Sequence, residues 1–193
     1  MNFDFETDIE LSNQRAQIQP LTMNYFEQLL PVASAHKDLL QYSPSPIYSE
    51  ELLRNYINQA IADRKNHLRY AFVIWDKQKK QYAGSTSFLN IVNKDKRLEI
   101  GHTWLGKDFQ GSGLNGQVKA LLLNYAFSNL QFERVEFKTD ERNTASRKAL
   151  EKLGAVYEGT LRSHMLMANG FRRNSVYYSI LRGEWMEKTN NAT

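Results

Sequence analysis

The chain has 193 residues, of which 41% are hydrophobic, 24% charged and 12% aromatic, the make-up of one folded soluble domain with a sizeable core rather than a disordered chain. A formal net charge of +4 and a pI of about 9.2 suit an anionic ligand, but no dense Lys/Arg run argues for nucleic acid. The absence of cysteine excludes disulfides, thiolate metal sites and a cysteine nucleophile.

The first ten residues, "MNFDFETDIE", are acidic and carry no apolar stretch of the secretory kind. No apolar run approaches the roughly 20 residues of a membrane helix, so a cytoplasmic location without a membrane partner is expected. "IQPLTMNYFEQLLPVA" reads as a short strand and a helix, with Thr22 as N-cap and Phe26, Leu29 and Leu30 on one face. "SPSPIYS" is a proline-punctuated loop. Ser49 then caps a second helix, with Leu52, Leu53, Tyr56, Ile57, Ala60 and Ile61 at helical spacing.

From Arg69 the period changes to that of strands. "RYAFVIW", "YAGSTSFLNIV" and "RLEIGHTWL" are joined by the short turns "DKQKKQ" and "NKDK", which predicts an antiparallel meander. Lys77, Lys79 and Lys80 lie in the first turn and read as solvated loop charges. A glycine loop and a helix over about 114–128 follow, with Val118, Leu121, Leu122, Tyr125 and Ala126 on a buried face. "ERVEFKT" is a strand with Val135 and Phe137 on one side. "NTASRKALEKLG" is a helix capped by Asn143 and stopped by Gly154. Two last strands, about 156–167 and 175–182, meet at an Asn169-Gly170 hairpin. The four histidines, His36, His67, His102 and His164, show no metal-ligand spacing, and no metal is expected.

The glycine loop, "DFQGSGLNGQVKALLLNYAF", admits three readings. Gly111, Gly113 and Gly116 spell the dinucleotide fingerprint. However, that fold places its first glycine directly after a parallel strand. Here "GKDFQ" intervenes after a meander, and too little chain follows for a doubly wound sheet. A Walker loop fails because Gln117-Val118 stands where Lys-Ser/Thr is needed. A plain flexible loop is the bland reading, although three glycines in six residues are costly to order unless the backbone must approach something closely. The N–H groups opening the following helix make an anion site.

The whole order of elements, strand, helix, helix, three-stranded meander, glycine loop and helix, strand, helix, hairpin, resembles the GCN5-related N-acetyltransferase family. That family's Gln/Arg-x-x-Gly-x-Gly/Ala signature maps onto Gln110, Gly111, Ser112, Gly113, Leu114 and Asn115, with Asn115 departing from Gly/Ala and Gly116 beside it. "NTASRKALEKLGAVYEGTLR" and "VYYSILRGEW" are most similar to the Rim-type protein N-terminal alanine acetyltransferase branch, with Ala155 where Phe is usual. The resemblance covers about 18–185 and implies a single domain. It implies a mixed α/β fold, with a mostly antiparallel sheet of about seven strands splayed between the fourth and fifth and flanked by about four helices. It further implies acetyl-CoA as co-substrate and direct transfer to an amine, on a protein N-terminus or a small molecule, by a monomer or homodimer. A non-catalytic acyl-CoA-binding module is the alternative.

The same resemblance places pantetheine against the strand holding His102, Thr103, Trp104 and Leu105, one of whose N–H groups stabilises the oxyanion. Acetyl transfer to an amine also needs a base for the amine and a partner for the leaving thiolate. Glu99, which by alternation shares a face with Gly101 and Thr103, is one candidate base; a surface carboxylate paired with Arg97 or a lysine is its bland reading. Glu158 is the second candidate, and His102 a third. Ser146 is the candidate for the leaving sulfur, since Leu150 stands where many relatives carry Tyr; a hydroxyl is a poor acid for a thiolate of pKa about 8.5, so hydrogen bonding is its role. Asn143 caps its helix and meets the pantetheine amide. Lys119, Arg147 and Lys148 are expected near the phosphates or as solvated helix charges. Acceptor specificity is expected from the first two helices, "PSPIY" and the last hairpin.

Overall fold

A computed structural model describes residues 1–190. Its elements run β1 (Leu11–Ser12), β2 (Ala16–Pro20), α1 (Phe26–Ser34), α2 (Glu50–Lys65), β3 (Arg69–Asp76), β4 (Gln81–Val92), β5 (Arg97–Leu105), α3 (Leu114–Asn124), β6 (Arg134–Asp140), α4 (Thr144–Leu153), β7 (Val156–Leu166), β8 (Arg172–Leu181) and α5 (Arg182–Asn190). The strands form one sheet in the order β1-β2-β3-β4-β5-β6-β8-β7. Every neighbouring pair is antiparallel except β5 and β6. This is the mixed α/β, mostly antiparallel architecture the sequence implied, with β1 and α5 in addition.

Local chemistry sets most boundaries. Ser49 Oγ accepts the Leu52 N–H at 3.3 Å, and Glu50 and Glu51 at the start and Arg64 and Lys65 at the end of α2 complement its dipole. Asn143 Oδ1 accepts the Ser146 N–H at 3.0 Å, and Gly154 ends α4 at a left-handed φ of 98°. The Thr22 cap does not form: a 3-10 turn, Met23–Tyr25, precedes α1, and the Thr22 hydroxyl makes no capping bond. The helix expected to run smoothly over 114–128 leaves α-geometry at Tyr125. Its last turn, Tyr125–Asn129, is π-helical, and the wider turn buries the adjacent residues Ala126 and Phe127 together. The turn lysines stay at the surface, Lys79 and Lys80 exposed and Lys77 half-buried; Lys77 Nζ donates to Ser12 Oγ and Asn13 O, and Lys79 Nζ to Asp108 O.

Two apolar cores cover the faces of the sheet. One joins Phe72, Phe88, Leu98, Ile100, Val135 and Tyr178 to Val118 and Leu122 of α3 and Trp185 of α5. Phe3 enters it edge-on to Tyr70 and Phe88, at ring separations of 5.5 and 5.8 Å, and Phe5 packs edge-on to Phe3 at 4.9 Å. The other joins Ala71, Val73 and Trp104 to α1 and α2. No helix among the described residues is long and apolar enough to cross a membrane.

Candidate active site

β5 and β6 pair at three positions, Arg97 with Arg134, Leu98 with Val135 and Glu99 with Glu136. β5 then continues to Leu105 and β6 to Asp140 without further pairing, so the sheet opens into a V whose apex is at Glu99. The backbone groups along its two arms suit an extended ligand inserted like an added strand. Because the strands are parallel, the loop before α3 and the start of α4 both lie at the open end of the V. Two helix N-termini therefore converge where the strands' carboxyl ends part, the usual ligand position in parallel arrangements.

A bulge shapes the β5 arm. Gly101 pairs with Ser87 and Trp104 with Ser85, so His102 and Thr103 together oppose Thr86. His102 takes a left-handed φ of 46°. The extra residue reverses the alternation. Leu105 joins the core of Leu98 and Ile100, Trp104 joins the opposite one, and Thr103 turns to α3. The expected common face of Glu99, Gly101 and Thr103 is therefore corrected, since Thr103 lies on the other side.

Glu99 is 3% exposed, and its Oε2 accepts from Asn90 Nδ2 at 2.8 Å and lies 3.5 Å from Lys138 Nζ. Its partner is thus Lys138 rather than Arg97, which pairs with Glu136 at 3.6 Å. A cavity of about 400 Å³ opens beside it, lined in part by His67, Leu68, Asn90, Glu99, Glu136 and Tyr177. His102 Nδ1 is 3.1 Å from Arg69 Nη1. Part of the residue faces solvent, but the protein packed around the imidazole, and then the Arg69 charge, push its pKa down to about 4. It is neutral at pH 7 and a weak base. Glu158 sits on β7, the edge strand, which β8 separates from the V. There it takes a bond from the Ser179 hydroxyl and pairs with Arg134 at 2.7 Å, and the two hold its carboxyl below the usual range.

At the open end, Gly111 and Gly113 take φ of 69° and 85°, which a side chain would strain, and a Cβ on either would meet no atom within 4 Å. The loop is tied down at its base: Gln110 Nε2 donates to Leu105 O at 2.9 Å and Ser112 Oγ to Phe109 O at 2.7 Å. The Leu114 side chain anchors the helix in the core, whereas Asn115 Oδ1 is buried without a hydrogen bond. Gly116, in the first turn, is exposed. The first-turn N–H groups of α3 lack intrahelical acceptors and carry the positive end of its dipole.

Across the opening, Ser146 Oγ has no protein partner among the described residues, and Leu150, one turn on, is buried in the core. Arg147 donates to Tyr178 Oη and Glu141 O, both at 3.3 Å, and Lys148 is exposed. Lys119 departs from expectation. It is 6% exposed, because its place on α3 turns it inward beside Val118 rather than toward solvent. Sequence reasoning missed Asn90 and Lys138, which reach Glu99 from other strands and share no spacing with it. It also missed Arg173 on β8, whose Nη1 donates to Tyr42 O at 2.7 Å and ties the loop before α2 to the hairpin.

A mixed sheet parted at its one parallel pair, with a glycine loop opening a helix at the parting, defines an acetyltransferase-like domain. The family described as "Acetyltransferase (GNAT) domain" matches residues 15–156, and the chain belongs to it. It is 35% identical over 102 residues to the protein named "Putative ribosomal N-acetyltransferase YdaF" of Bacillus subtilis (strain 168), covering 53% of this chain and 55% of that one, so the match spans about half that relative's length. A solved structure from T. thermophilus, described as "putative acetyltransferase", is 32% identical over 92% of each chain, with a TM-score of 0.83. The ribosomal-protein-S5-alanine acetyltransferase of Vibrio fischeri shares the fold, at 20% identity and a TM-score of 0.72, over 92% of this chain and 99% of that one.

Proposed function

We propose that this chain is an acetyl-CoA-dependent N-acetyltransferase of the Rim-type branch, acting on a protein N-terminus or a small primary amine. The observation that carries this reading is the V between β5 and β6, with the 110–116 loop at its open end and a buried carboxylate at its apex. The loop and α3 N-terminus take the pyrophosphate, and Gly111 and Gly113 allow its oxygens to approach the backbone. The pantetheine arm runs along β5 from Leu105 to His102, with Asn143 at its amide. A backbone N–H at the bulge faces the developing oxyanion.

The acceptor amine enters from the cavity beside Glu99, which takes its proton directly or through one water. Attack on the thioester carbon and departure of sulfur occur in one ternary complex, and no side chain is acylated on the way. Ser146 Oγ hydrogen-bonds the departing sulfur. YdaF's name supports a ribosomal protein as acceptor.

Thermal melting tests the donor. A ligand bound to the folded state at a hundredfold excess over its Kd adds about 2.7 kcal/mol, or about 5–10 °C for a chain of this size. Acetyl-CoA is expected to give such a rise and NAD(H) none; the opposite pattern would restore the dinucleotide reading of the glycine loop.

A further inference from the structure

Lys119 is a buried charge the scheme above leaves unused. Its Nζ donates to Thr103 Oγ1 on β5 at 2.7 Å and stands 5.8 Å from the centre of the Phe137 ring on β6. One side chain of α3 thus touches both arms of the V beyond its apex, from the face opposite Glu99. The Thr103 hydroxyl is the ammonium's one hydrogen-bond acceptor among the described residues, and that oxygen is shared with Thr86 Oγ1 at 2.8 Å. An ammonium has three donors. Two of them therefore have no acceptor among the described residues.

We propose that Lys119 is the proton donor to the departing CoA thiolate, a step that rests on the acetyltransferase reading. The acceptor nitrogen forms its bond to the acyl carbon while the carbon–sulfur bond breaks and its electron pair goes to sulfur. A proton moves from Lys119 Nζ to sulfur, giving the free thiol and a neutral amine. The acceptor's own proton leaves through Glu99 on the other face. Lys119 regains a proton from solvent when CoA departs, so the cycle closes with no net change in the enzyme.

The chemistry needs such a group. Ser146 is too weak an acid to protonate a thiolate, and Leu150 cannot donate. Desolvation in the core pushes the Lys119 ammonium down to about 7, and Glu99 on β5 pulls the other way. Glu99 is the one ionisable group acting on it among the described residues; Thr86, Thr103 and Phe137, which face it from β4, β5 and β6, do not titrate in this range. A donor poised near working pH is the efficient kind.

The test uses CoA itself, so it needs no knowledge of the acceptor. The ultraviolet absorbance of the bound thiolate is titrated on the wild-type protein and on Lys119→Met and Lys119→Gln. The free thiol titrates at about 8.5. The wild type is expected to lower that value by about one unit or more, and both variants to return it to that of free CoA or above. Melting separates this from a packing role. Below pH 7 the buried ammonium of the wild type opposes folding, and this cost fades between about pH 7 and 10.5 as the folded state sheds its proton first. Lys119→Met should therefore melt higher than the wild type at neutral and lower pH, by a margin that shrinks as pH rises, while turning over at least tenfold more slowly. An unchanged thiol titration in both variants overturns the proposal. So does loss of CoA binding in both, which would make Lys119 a binding residue. Failure of the wild type to bind CoA would instead refute the acetyl-CoA reading.

Discussion

Glu99→Gln is expected to lower turnover at pH 7 by about 10²–10⁴-fold, the usual cost of losing a general base. Glutamine keeps the shape and can still accept from Asn90 and Lys138, so the fold and acetyl-CoA affinity should hold. The defect should shrink as pH rises, because the acceptor then supplies more neutral amine and needs the base less. Glu158→Gln provides the comparison. That carboxylate is bound to Arg134 and Ser179 on the edge strand, outside the V. Its loss should leave the pH profile unchanged. A pH-rescued defect in Glu158→Gln and none in Glu99→Gln would reverse the assignment, and none in either would pass the proton to ordered water.

Gly113→Val is expected to weaken acetyl-CoA binding by about a hundredfold or more. Valine would have to hold a φ of 85°, a strain of about 1–3 kcal/mol. Its side chain would also project into the open space where phosphate oxygens would meet the N–H groups, and each charge-assisted hydrogen bond lost costs about 1.5–3 kcal/mol. No protein atom lies within 4 Å of that Cβ, so the fold itself is not crowded. Calorimetric titration of the folded variant measures the effect. Unchanged affinity would move the binding site away from this loop.

What could be read in advance was local. The Ser49 and Asn143 caps, the Gly154 stop and the glycine loop rest on residues a few positions apart, and each formed as the side chains required. The meander followed from short turns between alternating segments. The β5 bulge was not legible, because nothing in "LEIGHTWL" marks His102 as the residue left over when β5 pairs with β4. Missing it put Thr103 on the wrong face and hid its contact with Lys119. Lys119 itself looked like any helix-surface lysine, since charge on a helix is normally solvated; only the placement of α3 over the parted strands turns it inward. The acidic opening segment concealed Phe3 and Phe5, whose core contacts lie more than sixty residues away in sequence. Glu99, by contrast, was found on its strand, while its neighbours Asn90 and Lys138 come from strands that only the folded sheet brings together.

The central claim is transfer of an acetyl group to an amine in a single complex. The most direct measurement is mass spectrometry of a mixed panel of N-terminal peptides and small primary amines after incubation with the protein and acetyl-CoA, with released thiol counted in the same tubes. The account predicts one acetyl group on the amine of at least one panel member, matched one for one by released thiol and abolished in Gly113→Val. Binding of acetyl-CoA without acetylation of any amine would contradict it and leave a non-catalytic acyl-CoA-binding module.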